Sequence, residues 1–254
     1  MDQRRQPCCR QYTIKFNAIA MFPFFSKYTG PVLLILVFTR FSSCAPDPGN
    51  KGKLEDVDGN RYATVIIGEQ EWMSENLRVT HLKDGTPVTM VENYDEWAGL
   101  SLPAYCWYNN DSSYRDTYGA LYNSYVVETG MLCPEGWHVP TDEDWVELET
   151  YYGGAPAAGG SLKAAGTEFW KTPNTGAINA DGFSALPGGY RNYAGPFNLM
   201  RITGFWWTSS ERSWYGSEPK LLYRSIKYDE EAIVRDVAVK TNGLSVRCIK
   251  DRQE

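Results

Sequence analysis

Histidine is almost missing from this chain: two in 254 residues, His81 and His138. Neither stands in a His-Glu-x-x-His pair, which excludes the common histidine-built zinc centres. No Gly-rich phosphate loop and no Gly-x-Ser-x-Gly elbow occur, which removes the usual nucleotide-binding and serine-hydrolase patterns. Positive charge is also scarce, at 25 Lys and Arg against 31 Asp and Glu. Residues 1–43 hold 6 of the basic and 1 of the acidic residues, so the remainder carries 19 against 30, a net of about −11. A surface of that sign excludes nucleic acid as a partner, because its binding relies on neutralising phosphates. It also argues against anionic lipid headgroups as the main ligand. Internal repeats and low-complexity segments are absent.

Long apolar runs are absent too. Residues 31–38, Pro-Val-Leu-Leu-Ile-Leu-Val-Phe, are too few to span a bilayer. They are followed by Phe41-Ser42-Ser43-Cys44, small residues just before a cysteine. This reads as a lipoprotein signal over 1–43, cleaved before Cys44, which is then lipidated. Arg40 and Phe41 make the lipobox imperfect, and a plain secretory signal or a single membrane anchor is the alternative. Met21, with Lys27 after it, would open a more ordinary signal than Met1. Residues 44–53, rich in Pro and Gly, form a tether. The expected product is exported and lipid-anchored in a bacterial cell envelope, at the outer membrane or cell surface. About 200 residues remain, enough for one core, over 54–251.

Within that domain the residues read as antiparallel strands, two helices and much loop, an α+β class. A hairpin is expected from residue 54 to 67 around Asp58-Gly59. Trp72 and Met73 follow as a short strand. Residues 80–104 read as extended loop with a turn near Trp97. One helix is expected at about 119–127 and a second at 142–152. Thr141 and Asp144 approximate a capping box for the second helix, and Trp145, Leu148 and Tyr152 give it one buried face. From 153 to about 185 both periodicities fade. The chain then alternates short strands and turns, ending in a hairpin over 233–250 with Thr241-Asn242-Gly243 as its turn.

Three cysteines follow Cys44: Cys106, Cys133 and Cys248. Leu244, Val246 and Cys248 share one face of the last strand, so Cys248 points inward. The reading adopted is a Cys133–Cys248 bridge with Cys106 a buried thiol. Cys106–Cys133 is the alternative pairing.

Several stretches together resemble one known family. Residues 133–145, Cys-Pro-Glu-Gly-Trp-His-Val-Pro-Thr-Asp-Glu-Asp-Trp, are the most specific. Asp58-Gly59-Asn60-Arg61-Tyr62, Gln70-Glu71-Trp72-Met73, Tyr118-Gly119-Ala120-Leu121-Tyr122-Asn123, Leu186-Pro187-Gly188-Gly189-Tyr190-Arg191 and Ser245-Val246-Arg247-Cys248 occur in the same order. They resemble the Fibrobacter succinogenes major paralogous domain. That resemblance implies a C-type-lectin-like fold with a long loop region, and no established activity. Residues 139–145 are also similar to a stretch of formylglycine-generating enzymes. The paired C-terminal cysteines of those enzymes are missing, because Cys248 stands alone in that half.

Aromatics are plentiful: 9 Trp, 17 Tyr and 10 Phe. Such rings either fill a loop-rich core or stack on sugar faces. Polar neighbours point to exposure for Trp107, Tyr108, Asn109, Asn110 and Asp111 and for Trp214 and Tyr215, and Tyr190 with Arg191 is a further sugar-contacting patch. These are the candidate ligand-binding residues, with a glycan the leading ligand and a surface protein the other. The patches extend to Asn192-Tyr193 and Phe205-Trp206-Trp207, although Trp206 and Trp207, like Trp72, Trp137 and Trp145, are read first as core. No catalytic residue is assigned and no cofactor is expected. Calcium is the one metal with candidate ligands, in Asn109, Asn110, Asp111, Asp181 and Glu211. However, Glu218-Pro219-Lys220 lacks the Asn that the lectin sugar motif carries.

Overall fold

The computed structural model describes residues 53–213, 218 and 220–252. Cys44, the signal segment, most of the tether, Trp214 and Tyr215 lie outside the described residues. The class is α+β, with mostly antiparallel strands and short helices.

One sheet joins β1 (Lys53–Glu55), β2 (Arg61–Ile67), β3 (Gln70–Met73), β7 (Trp137–His138) and β13 (Ile249–Lys250), in spatial order β1-β2-β3-β13-β7. All its pairings are antiparallel. Its first hairpin forms because Asp56 accepts the backbone N–H groups of Asp58 and Asn60, and Gly59 takes φ +79°. A second sheet holds β8 (Gly188–Arg191), β9 (Phe197–Met200), β10 (Thr203–Arg212), β11 (Lys220–Lys227) and β12 (Ile233–Val237), in order β12-β11-β10-β8-β9. Only β8 and β10 run parallel there. A small third sheet joins β4 (Thr89–Met90), β5 (Ala104–Cys106) and β6 (Leu121–Tyr122).

Among the described residues five α-helices appear where two helices were expected: α1 (Tyr94–Ala98), α2 (Arg115–Tyr118), α3 (Ser124–Glu128), α4 (Asp142–Tyr151) and α5 (Ala155–Leu162). The helix expected over 119–127 is broken. Gly119 takes φ +74°, Leu121 and Tyr122 pair with β5, and Asn123 then caps α3 by accepting Val126 N–H. The turn expected near Trp97 is present and is helical, because Asn93 caps it through Glu96 N–H. Helix α4 follows the expected pattern. Both halves of the Thr141/Asp144 capping box are made, and Trp145 and Leu148 are buried. Helix α5 lies inside the stretch expected to be loop. Its Gly159 and Gly160 sit against backbone: an added Cβ would come within 2.6 Å of Ala232 O and 2.8 Å of Gly176 O. Close approach at the glycines, together with Ala158 and Leu162 buried in the core, places that helix.

The expected terminal hairpin does not form. β12 pairs with β11, and β13 pairs with β3 and β7. The segment between them, 243–248, is shared among all three sheets. Leu244 N–H donates to Tyr122 O, Trp207 N–H to Ser245 O, and Met73 N–H to Cys248 O. Both faces of this segment are therefore buried, including Ser245 and Arg247. Cys248 bonds Cys133 with Cα atoms 6.0 Å apart and a sequence separation of 115. Cys106 is free and buried.

Candidate functional site

The second sheet buries one face and leaves part of the other open. Side chains alternate along β10, so Trp206 points into the core with Trp145 and Ile226, while Phe205 points the other way. On that opposite face Tyr190 from β8, Phe205 from β10 and Tyr223 from β11 stand in a row. Tyr190 and Phe205 have ring centres 5.0 Å apart, and Phe205 and Tyr223 are 5.8 Å apart, both pairs at 56°. All three are half-buried. They line a cleft of about 260 Å³ whose other walls include Tyr193, Leu199, Val237, Val239, Asn192 and Asn242.

This lining holds no Lys, Arg, His, Cys, Asp or Glu. The Tyr223 phenol is raised by burial and then by the Asp236 carboxylate, which pairs across from it on β12. Asn242 Oδ1 accepts Tyr193 N–H at 2.8 Å, and Asn192 Oδ1 accepts Ala194 N–H at 2.9 Å. Those bonds engage the amide oxygens, and neither NH₂ group has a hydrogen-bond partner among the described residues. The hydroxyls of Tyr190, Tyr193 and Tyr223 have no hydrogen-bond partner among the described residues. Leu199 is held at φ +64°, a left-handed conformation that costs a leucine about 1–3 kcal/mol.

Larger hollows lie elsewhere. The one at Glu69 and Arg252, about 510 Å³, is lined largely by charged groups, with Lys250 paired to Glu71 at 2.7 Å.

The predicted site residues are not brought together. Trp107 and Tyr108 are buried, contrary to the exposure expected of them. Trp107 packs edge-on against Tyr105 at 5.3 Å in the main core, and Tyr108 packs on Phe197 at 5.3 Å. Asn109 and Asn110 adopt positive φ, and Asn110 Nδ2 donates to Glu92 O. Asp111 Oδ1 caps Ser113 N–H. The Asn and Asp in this stretch shape a turn. Tyr190 does line the cleft.

Arg191 is fully buried and does not. Its guanidinium donates to the carbonyls of Gly195, Val91, Glu92 and Asn93, and lies 4.3 Å from the Trp97 ring centre. Tyr193 and Phe205 lay in the sequence patches and reach the cleft, whereas Tyr223 was missed. Its signal was the alternation Leu221-Leu222-Tyr223-Arg224, which puts Tyr223 on the face opposite buried Leu222 and Arg224.

Of the candidate calcium ligands, Asp111 Oδ1 accepts Ser113 N–H and Asp181 Oδ2 accepts the Tyr152 hydroxyl, while Asn110 Oδ1 is buried without a partner. Among the described residues no three His, Cys, Asp or Glu side chains form a group that could hold a metal. Also among the described residues, no helix is long and apolar enough to cross a membrane.

The pattern of the Fibrobacter succinogenes major domain matches residues 65–250, from within β2 to the last residue of β13. The chain belongs to that family. All of the cleft residues fall inside the matched span of this Fibrobacter succinogenes major domain. No curated protein and no solved structure matches the chain significantly.

Proposed function

We propose that this protein is an exported, lipid-anchored binding module with a C-type-lectin-like fold, and that it holds a glycan in the Tyr190–Phe205–Tyr223 cleft. The observation carrying this reading is the row of three half-buried rings on one open sheet face, bordered by amide and phenol groups. Sugar rings offer apolar C–H faces and hydroxyl edges, and a cleft of rings and amides meets both needs. Because nothing in the lining exchanges a proton readily at neutral pH, the reading is binding without catalysis. The short helices and the long connection between α5 and β8 support the lectin-like assignment. Cys44, after the short apolar run, supports the lipid anchor.

The test is a glycan and polysaccharide binding screen of the full-length chain in detergent, alongside Tyr223→Ala. Saturable binding to one sugar class, lost in the variant, is the expected result. A screen without binding overturns the reading. The second reading, a protein-interaction or adhesion module, draws on Tyr193, Leu199 and Val239, which are 52%, 40% and 40% exposed around the same cleft.

A further inference from the structure

The cleft has an unusual balance of hydrogen-bonding groups. Both side-chain amides line the space, each oxygen already accepts one backbone N–H, from Tyr193 or Ala194, and neither NH₂ has a partner among the described residues, so each amide has N–H donors to offer. The three phenols add donors that also accept. No charged side chain lines the space, so it offers nothing to neutralise a carboxylate, sulfate or phosphate. The remaining lining is aliphatic, from Leu199, Val237, Ala238 and Val239.

A plain hexose would use the rings and phenols but leave the aliphatic wall facing hydroxyls. An acidic sugar would enter a cation-free site near Asp236, on a chain of net negative charge. An acetamido group meets each constraint: its carbonyl accepts the amide N–H donors, and its methyl packs on the aliphatic side chains. The volume, about 260 Å³, lies below the roughly 300–1,000 Å³ of drug-sized sites, which suits one sugar unit rather than an extended chain.

We infer that the cleft binds the acetamido end of an N-acetylated hexosamine. This rests on the glycan reading above and narrows it to one substituent. Asn242 and Asn192 are the selecting residues, and Tyr190, Phe205 and Tyr223 supply the surface for the ring.

Calorimetric titration of the full-length chain tests this with four probes. They are the methyl glycosides of N-acetylglucosamine and N-acetylgalactosamine, and the parent glucoside and galactoside. At least one acetamido probe should bind about tenfold tighter than its parent, the worth of one hydrogen bond plus a buried methyl. Asn242→Asp and Asn192→Asp keep an oxygen for Tyr193 and Ala194 N–H while deleting the donor. Together they should erase the preference without changing the thermal midpoint. Equal binding of acetamido and parent sugars overturns the acetamido inference and leaves the glycan reading standing. Unchanged preference in the double variant overturns the assignment to Asn192 and Asn242. Failure of all sugars, monosaccharide and polymer alike, overturns both.

Discussion

The guanidinium of Arg191 lies 4.3 Å from the centre of the Trp97 ring, on the far side of β8 from the cleft. Tyr190 and Arg191 are neighbours in sequence, yet one lines the candidate site and the other is buried. Strand alternation separates them. Arg191 ties the β8–β9 turn at Gly195 to carbonyls 91–93, which holds β8 in place beneath Tyr190.

Arg191→Ala should therefore act on stability. It leaves four carbonyls without their donor in a buried site, a loss of roughly 3–5 kcal/mol. Arg191→Lys should recover little, because a lysine cannot reproduce the planar fork. Urea unfolding measures both, and a loss below about 1 kcal/mol in the alanine variant would contradict this assignment.

The Cys133–Cys248 bridge closes a loop of 115 residues and anchors the segment common to the three sheets. Loop entropy sets its contribution at up to a little under 5 kcal/mol. Cys248→Ser should lower the urea midpoint sharply. Cys106 should stay unlabelled by iodoacetamide in the native protein, since burial pushes its thiol up to about 12. Rapid labelling of Cys106 before unfolding is the contrary outcome.

Stability should vary with pH through His138, which contacts Asp144 at 3.1 Å and Asp251 at 2.6 Å. The Asp144 hydrogen bond raises His138, against burial, and the Asp251 bond adds to it. Burial alone would raise Asp144, but hydrogen bonds from His138 and Thr141 outweigh it and bring the carboxyl down to about 2. The Asp144 contribution is thus complete above pH ~4 and lost as pH falls through about 2. That of His138 is complete below its unfolded value, near 6.5, and lost as pH rises through its raised folded value. Each is worth on the order of 1 kcal/mol after solvent screening. Thermal midpoints of the wild type and His138→Gln should converge on either side of the window from about pH 4 to 6.5. Curves that stay parallel throughout would rule this latch out.

Lys163 is fully buried, and its ammonium donates to the carbonyls of Thr175 at 2.7 Å, Lys227 at 3.2 Å and Glu230 at 2.8 Å. Burial lowers this amine to about 8, opposed by nearby Glu231, Asp229 and Glu230. A lysine thus supplies the positive charge that organises the loop after α5. Chelator should leave the thermal midpoint unchanged, and Lys163→Met should lower stability by roughly 3 kcal/mol or more through its unpaired carbonyls. A midpoint that drops in chelator would restore calcium to the account.

Much of the frame was legible because it rests on local chemistry. Thr141 and Asp144 cap α4 through contacts three residues apart, and Asp56 to Asn60 close the first turn within one hairpin. Cys248 was expected inside and is buried, but Ser245 and Arg247 on the other face of that segment are buried too, so alternation alone did not separate them. Non-local contacts were not. Gly159 and Gly160 make α5 by fitting against Ala232 and Gly176, contacts that leave no period in the sequence. The 243–248 segment looks like a hairpin arm because its turn signal is genuine, but its partners lie near residues 73, 122 and 207. Trp107 has polar neighbours and was expected outside. Those neighbours form the turn, and the indole itself faces the core. The cleft was half visible: Tyr190, Asn192, Tyr193 and Phe205 stood in aromatic patches, but only the β10–β11 pairing brings Tyr223 to them.

The most direct measurement is ring-selective NMR of the full-length chain in detergent, with Tyr, Phe and Trp labelled, during titration with the glycan class found by screening. The account predicts that the resonances of Tyr190, Phe205 and Tyr223 shift together and saturably, while Trp107 and Trp97 stay in place. Shifts centred on Trp107 with the three cleft rings unmoved would contradict it.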